Sequence, residues 1–133
     1  MIGLGAGPPG RVNFRIAYAE ELAAEQPGAY DLIVLSDVLH HVPGPARESL
    51  LRSAQTLLAP GGTLAFKDWH RNRTPIYYAV WAADSWLTGD RVAYLTSKEA
   101  KALIVGIFGA GSIVGECWVR PWRNNYGFRV IAK

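Results

Sequence analysis

Apolar positions along the chain follow two rhythms. Tyr30-Asp31-Leu32-Ile33-Val34-Leu35 is a nearly unbroken β-branched and aliphatic run. Such a run predicts a strand covered on both faces, in the middle of a parallel sheet. From Pro45 to Leu58, the residues Leu50, Leu51, Ala54, Leu57 and Leu58 recur every three or four positions, which predicts an amphipathic helix. Pro60-Gly61-Gly62 closes that helix, and Thr63 to Lys67 forms the next strand. Strand, helix and strand with short turns make a βαβ unit, whose crossover is right-handed.

The flanking segments extend this pattern. Val12–Ala17 reads as a short strand, and the acidic stretch Glu20–Glu25 as a helix ended by Pro27-Gly28. Downstream, Thr74 to Leu87 reads as a helix carrying Tyr77, Tyr78, Trp81 and Trp86. Thr96 or Ser97 caps a further helix to Phe108, with Glu99 three residues after Thr96 as a capping box requires. Ser112–Val119 and Tyr126–Ala132 are strands joined by Pro121 to Asn125, a loop short enough to force antiparallel pairing. The fold class is α/β.

Composition narrows the function classes. The chain has 133 residues, half of them hydrophobic and 19% charged, a balance suited to one packed domain. Cys117 is the single cysteine, so an internal disulfide and a cysteine metal cluster are excluded, and a cytoplasmic setting is expected. No apolar run reaches the roughly 20 residues of a membrane helix, and no membrane partner is expected. Residues 1–66 hold four Arg and six acids, whereas residues 67–133 hold ten basic residues, five acids and all five Trp. The basic charges are scattered and carry no nucleic-acid-binding signature, so they read as a solvated face around an aromatic core.

The segment Tyr30-Asp31-Leu32-Ile33-Val34-Leu35-Ser36-Asp37-Val38-Leu39-His40-His41-Val42-Pro43 is followed, after a helix, by Leu57-Leu58-Ala59-Pro60-Gly61-Gly62-Thr63-Leu64. This pairing and its spacing resemble the class I S-adenosylmethionine-dependent methyltransferase family over residues 11–133. The resemblance implies a partial Rossmann-like sheet, the third to seventh strands, ending in an antiparallel pair. It makes Tyr30–Leu35 the fourth strand and Val12–Ala17 the third. It divides the chain into a Gly/Pro-rich leader, residues 1–10, and a partial methyltransferase domain, residues 11–133. The family's first strand, Gly-x-Gly-x-Gly loop and helix have no counterpart here. Ile2-Gly3-Leu4-Gly5-Ala6-Gly7 imitates the loop, but only Met1 and Ile2 precede it where a strand is needed. With the first two strands lacking, the open edge is expected to be closed by Val12–Ala17 packing against Tyr30–Leu35, or by self-association or a partner chain.

The resemblance also implies S-adenosylmethionine as cofactor and a small-molecule methyl acceptor. Ligands of open α/β sheets bind beyond the carboxyl ends of the strands, so Ser36 to His41 and Lys67 to Arg71 should flank one crevice. The cofactor is expected against Ala19, Glu20, Ser36, Asp37 and His41. Tyr18 stands where family members often have an adenine-binding acid, with Glu20 beside it. Methyl transfer to a protonated nucleophile needs a base, and Asp68 and His70, two residues apart after the fifth strand, are the catalytic candidates. Adjacent His40 and His41 diverge and have no carboxylate cluster beside them, so no metal site is expected. The aromatics of Thr74 to Leu87 either line an acceptor pocket or pack their helix onto the sheet. Beside the enzyme stand two other readings: an inactive binding or assembly module with the methyltransferase fold, and a truncated gene product.

Overall fold

A computed structural model of the chain describes residues 12–89 and 91–133. The elements run α1 (Ala19–Glu25), β1 (Tyr30–Ser36), a 3-10 turn (Leu39–His41), α2 (Gly44–Leu57), β2 (Leu58–Trp69), α3 (Pro75–Thr88), α4 (Ser97–Phe108), β3 (Ile113–Val119) and β4 (Asn125–Ile131). The glycine stretch near the start lies outside the described residues.

The four strands form one sheet in the order β1-β2-β4-β3. β1 and β2 pair in parallel across α2, the βαβ unit that the apolar rhythm predicts. β4 enters antiparallel between β2 and β3, with Leu64 opposite Val130 and Phe66 opposite Phe128. β2 begins at Leu58, ahead of the predicted Thr63, and takes up the Pro-Gly-Gly segment as an irregularity between the pairs Tyr30–Leu58 and Leu32–Thr63. Gly61 takes a left-handed φ of 77°, and a Cβ on Gly62 would sit 2.8 Å from the Ala59 carbonyl oxygen. Neither position accepts a larger residue without strain.

The core lies on one face of the sheet. Leu51 of α2 and Ala100, Ile104 and Phe108 of α4 meet Leu64, Phe66, Tyr126, Phe128 and Val130, all in one cluster. The Thr96–Glu99 capping box is present: the Thr96 hydroxyl accepts from the Glu99 N–H at 3.2 Å, and Glu99 accepts from the Thr96 N–H at 2.7 Å. It fixes where α4 starts, and so where its apolar stripe meets the sheet.

Two expectations are corrected. Val12–Ala17 is not a strand: it runs without regular structure, and Val12, Phe14 and Ile16 are exposed. Its alternation of apolar and polar residues suits a strand, but a strand exists only where a neighbour completes its ladder, and no such pairing forms. Nor is β1 a central strand here. Among the described residues it pairs with β2 alone and forms an edge. Ile33 and Leu35 pack on the core, while Leu32 and Val34 on the other face are 58% and 62% exposed. The run is apolar on both faces, as its sequence says, but only one face is covered.

Candidate functional site

The carboxyl ends of β1 and β2 lie side by side, with Ser36 opposite Lys67. Just beyond β1, Asp37 adopts a left-handed φ of 58° that turns the chain out of the strand. Its carboxylate receives Lys67 Nζ at 2.8 and 2.7 Å, and its N–H donates to the Lys67 carbonyl at 2.9 Å. The turn carrying Leu39, His40 and His41 follows at once. It is clamped from two sides. The buried Arg47 of α2 donates through Nε to the carbonyls of Leu39 and Val42, at 3.2 and 3.0 Å, and through Nη2 to that of Ala93 at 2.5 Å. The Ala93 N–H donates to the His40 carbonyl at 3.0 Å.

This clamp sets His40 above the end of β2. Asp68 is in phase with Leu64 and Phe66 along the strand, so its side chain points to the core side, where it is buried. A buried carboxylate needs donors, and Asp68 has three. The His40 N–H reaches it at 3.2 Å, the Trp69 N–H at 2.8 Å, and His40 Nδ1 lies 2.5 Å from Oδ1. With the carboxylate at Nδ1, a neutral ring carries its proton there and presents Nε2 as the acceptor. Nε2 is turned toward Asp84 of α3, with Oδ2 at 4.0 Å. Asp84 in turn accepts from the Tyr94 hydroxyl. Burial first, and then this bond to Asp84, push the Tyr94 hydroxyl above its ordinary range and keep it a donor. Asp68, His40, Asp84 and Tyr94 thus form a polar chain from the core to the half-exposed Asp84 carboxylate.

His70, the other catalytic candidate of the sequence, sits elsewhere. Its Nδ1 accepts the Ser97 N–H at 3.1 Å at the start of α4, and its ring meets Trp118 and Tyr126 edge-on, with centroids 5.0 and 6.0 Å away. Burial, followed by the positive charge of Arg71, holds its pKa below the ordinary histidine value. Asp68 and His70 therefore do not form one hydrogen-bonded pair, and the carboxylate is held by His40. Of the residues expected at the cofactor, Ser36, Asp37 and His41 gather at the end of β1, with the His41 ring 4.1 Å from that of His40. Ala19 and Glu20 start α1, and Glu20 accepts from the Ser49 hydroxyl of α2 at 2.7 Å.

Sequence reasoning did not single out His40 as the partner of Asp68, nor Arg47. A signal for His40 existed. Asp68 shares a strand face with Leu64 and Phe66, which marks it as a buried acid, and the loop leaving the neighbouring parallel strand is the nearest source of a partner. The aromatics of α3 divide: Tyr77 packs inward on Tyr94, with ring centroids 5.4 Å apart, whereas Tyr78, Trp81 and Trp86 are exposed. Among the described residues no cluster of three or more potential metal ligands occurs.

Comparison with known proteins agrees with this architecture. A family model described as a methyltransferase domain matches residues 5–103. Ubiquinone biosynthesis O-methyltransferase of Bordetella pertussis is 40% identical over 74 residues, covering 56% of this chain and 30% of that protein. The protein of that name from Chromobacterium violaceum is 40% identical over 73 residues, covering 55% and 31%. The chain thus matches roughly a third or less of the length of these curated relatives. Among solved structures, a SAM-dependent methyltransferase from Methanosarcina mazei superposes with a TM-score of 0.69 at 17% identity, covering 99% of this chain and 72% of that one. A Pyrococcus horikoshii protein gives 0.68 at 12% identity, covering 92% and 60%. These similarities place the sheet within the Rossmann-like methyltransferase fold. With a family model matched over well more than half its length, the chain belongs to the methyltransferase domain family.

Proposed function

We propose that this domain takes part in methyl transfer from S-adenosylmethionine to a hydroxyl group of a small-molecule acceptor, with His40 as the general base. The observation that carries this reading is the buried His40–Asp68 pair at the carboxyl ends of two adjacent parallel strands, the position where such sheets bind ligands. The choice of oxygen as the target rests on the acceptor His40 Nε2 and on the similarity to O-methyltransferases.

The residues present fit part of the cofactor's surroundings. Left-handed Asp37 turns the chain away from the end of β1, leaving the Ser36 hydroxyl and Val38 exposed beside His41. Ser36, Asp37 and His41 would meet the methionine end, and Ala19 and Glu20 the adenine edge. Glu20 and Asp37 already hold Ser49 and Lys67, so each would share its carboxylate with the ligand. When bound, the cofactor supplies an electrophilic methyl group. The chain's own residues manage the proton. His40 Nε2 takes it from the acceptor hydroxyl, and Asp68 accepts the Nδ1–H bond and stabilises the imidazolium that forms. Arg47 and Ala93 keep the turn from shifting as the charge appears. Asp84 shields Nε2, so access for the acceptor requires α3 to move. A helix with no buried residue can do that at low cost. In this reading Asp68 is a positioning residue, and His70 seats the start of α4.

Calorimetric titration with S-adenosylmethionine and a methylation assay on a panel of phenolic acceptors test the proposal. His40→Gln should leave cofactor binding intact and lower turnover about a hundredfold, the usual scale for a general base. Asp68→Asn should lower turnover and shift the acidic limb of the pH profile. Unchanged turnover in His40→Gln would refute the base assignment, and failure of the intact chain to bind cofactor would refute the proposed activity.

A further inference from the structure

α3 is inside out. Its inner line is set by Tyr77, whose ring lies 5.4 Å from that of Tyr94, and by Asp84, seven residues on, which accepts from the Tyr94 hydroxyl. Asp84 is the only charged residue in the helix, and it faces the protein. The opposite side carries Ile76, Tyr78, Ala82, Trp86 and Leu87, without one charged group. Trp86 and Leu87 are 86% and 75% exposed. A helix at a protein–water boundary normally has the reverse polarity.

The segments on either side of α3 and the turn before β4 are rich in arginine. Asn72 bonds to Asn124 at 3.1 Å, and the His70 N–H donates to the Asn124 carbonyl at 2.7 Å. These bonds place the turn before β4, with exposed Trp122, beside the segment leading into α3. Residues 70–95 and 118–124 together hold Arg71, Arg73, Arg91, Arg120 and Arg123 with two acids, Asp84 and Asp90; Arg71 is paired with Glu99 at 2.8 Å, so the surplus rests on the other four. The guanidinium groups sit on exposed residues, and Asp84 is turned inward. Tryptophan and tyrosine on an apolar helix face, with arginine around it, is the chemistry of the boundary between lipid headgroups and acyl chains. A protein partner would equally cover apolar area, but the surplus of arginine selects an anionic surface.

We propose that α3 and the turn at residues 118–124 form a docking face for an anionic lipid surface. The apolar side of α3 enters the headgroup boundary, and the arginines contact lipid phosphates. No helix among the described residues is long and apolar enough to cross a membrane, so the attachment is to the surface. The inference goes beyond methyl transfer and does not depend on it. Where both hold, an apolar acceptor could reach His40 from the bilayer side, beneath α3.

The test is co-sedimentation of the full chain with vesicles of phosphatidylglycerol and phosphatidylcholine in equal parts, against vesicles of phosphatidylcholine alone. Binding is expected to the anionic vesicles, at least about tenfold weaker to the neutral ones, and to fall as salt is raised. Tryptophan emission should shift to the blue on binding. Trp86→Ser with Leu87→Ser, at exposed positions, should abolish sedimentation while keeping the far-ultraviolet circular dichroism of the parent. Arg91→Glu with Arg123→Glu should do so by reversing two charges while leaving the apolar face intact. Absence of binding to anionic vesicles would overturn the proposal, as would undiminished binding by both variants. A dimer seen by light scattering, dissolved by the Trp86/Leu87 substitutions and indifferent to vesicles, would assign the face to a second copy and also overturn it.

Discussion

The residues at the ends of β1 and β2 divide by what their ring nitrogens face. His40 gives Nδ1 to a buried carboxylate and presents Nε2 as the acceptor, whereas His70 spends Nδ1 on a backbone N–H of α4 and lies against Trp118 and Tyr126. Protonating His70 would forfeit the bond from Ser97 and place a charge in a partly desolvated site beside Arg71, which is why its pKa is lowered. The sign of the effect on stability follows. Above the ordinary histidine pKa of about 6.5, the ring is neutral in both folded and unfolded chains and the contribution is intact. As pH falls below that value, the unfolded chain takes up the proton before the folded one, and stability declines until the lowered folded pKa is passed. Urea unfolding at neutral and mildly acidic pH should show this loss, and His70→Gln should flatten it. An imidazole titration of His70 by NMR at or above the ordinary value would contradict it.

At the scale of elements, capping and strand phase decide most of the geometry. Thr96 and Glu99 satisfy two N–H groups at the start of α4, and the helix they start carries Ala100, Ile104 and Phe108 into the core. Thr96→Ala should cost about 1 kcal/mol by thermal or urea unfolding, the common value for a lost N-cap. Thr96→Ser should restore most of it. A loss well under a few tenths of that figure would mean that the adjoining contact of Arg71 with Glu99 holds the helix start without the cap. The capping box and the two-residue phase of β2 were both legible in the sequence. The partner of Asp68 was not, because strand phase shows which way a side chain points and not what stands across the gap. Arg47 illustrates the same limit. In sequence it is one polar residue near the start of an amphipathic helix, and its role appears only once the turn at His40 and the loop at Ala93 converge on it.

Among the described residues the sheet has one covered face and one largely open face. On the open side, Val34, Ala65 and Arg129 lie in register, and Cys117 stands opposite Gly127. A Cβ at Gly127 would come within 3.1 Å of Cys117 Sγ and the Phe66 carbonyl, so this part of the sheet is closely packed despite its exposure. The edge at β1 exposes backbone groups beside Leu32 and Val34, a combination that favours strand-to-strand association. Leu32→Lys with Val34→Lys should raise the solubility limit and reduce concentration-dependent scattering. As both side chains are exposed, unfolding free energy should change by no more than about 0.5 kcal/mol for each. Unchanged scattering in this variant would move the site of association away from β1.

By itself the sequence determined the α/β class, the βαβ unit and the antiparallel closing pair, because all of these rest on local periodicity, caps and turn residues that each segment carries within itself; the family showed as a resemblance of two motifs, and the matching family model bears it out. The sequence also brought Ser36, Asp37 and His41, expected at the cofactor, to the end of β1 beside the end of β2. Tertiary structure alone decided that Val12–Ala17 stays unpaired, that β1 is an edge, that Asp68 belongs to His40, and that α3 turns its apolar side outward. The physical reason is common to all four. A segment's pattern states which surfaces need cover, but cover is supplied by other segments distant in sequence, and only their arrangement shows which needs are met.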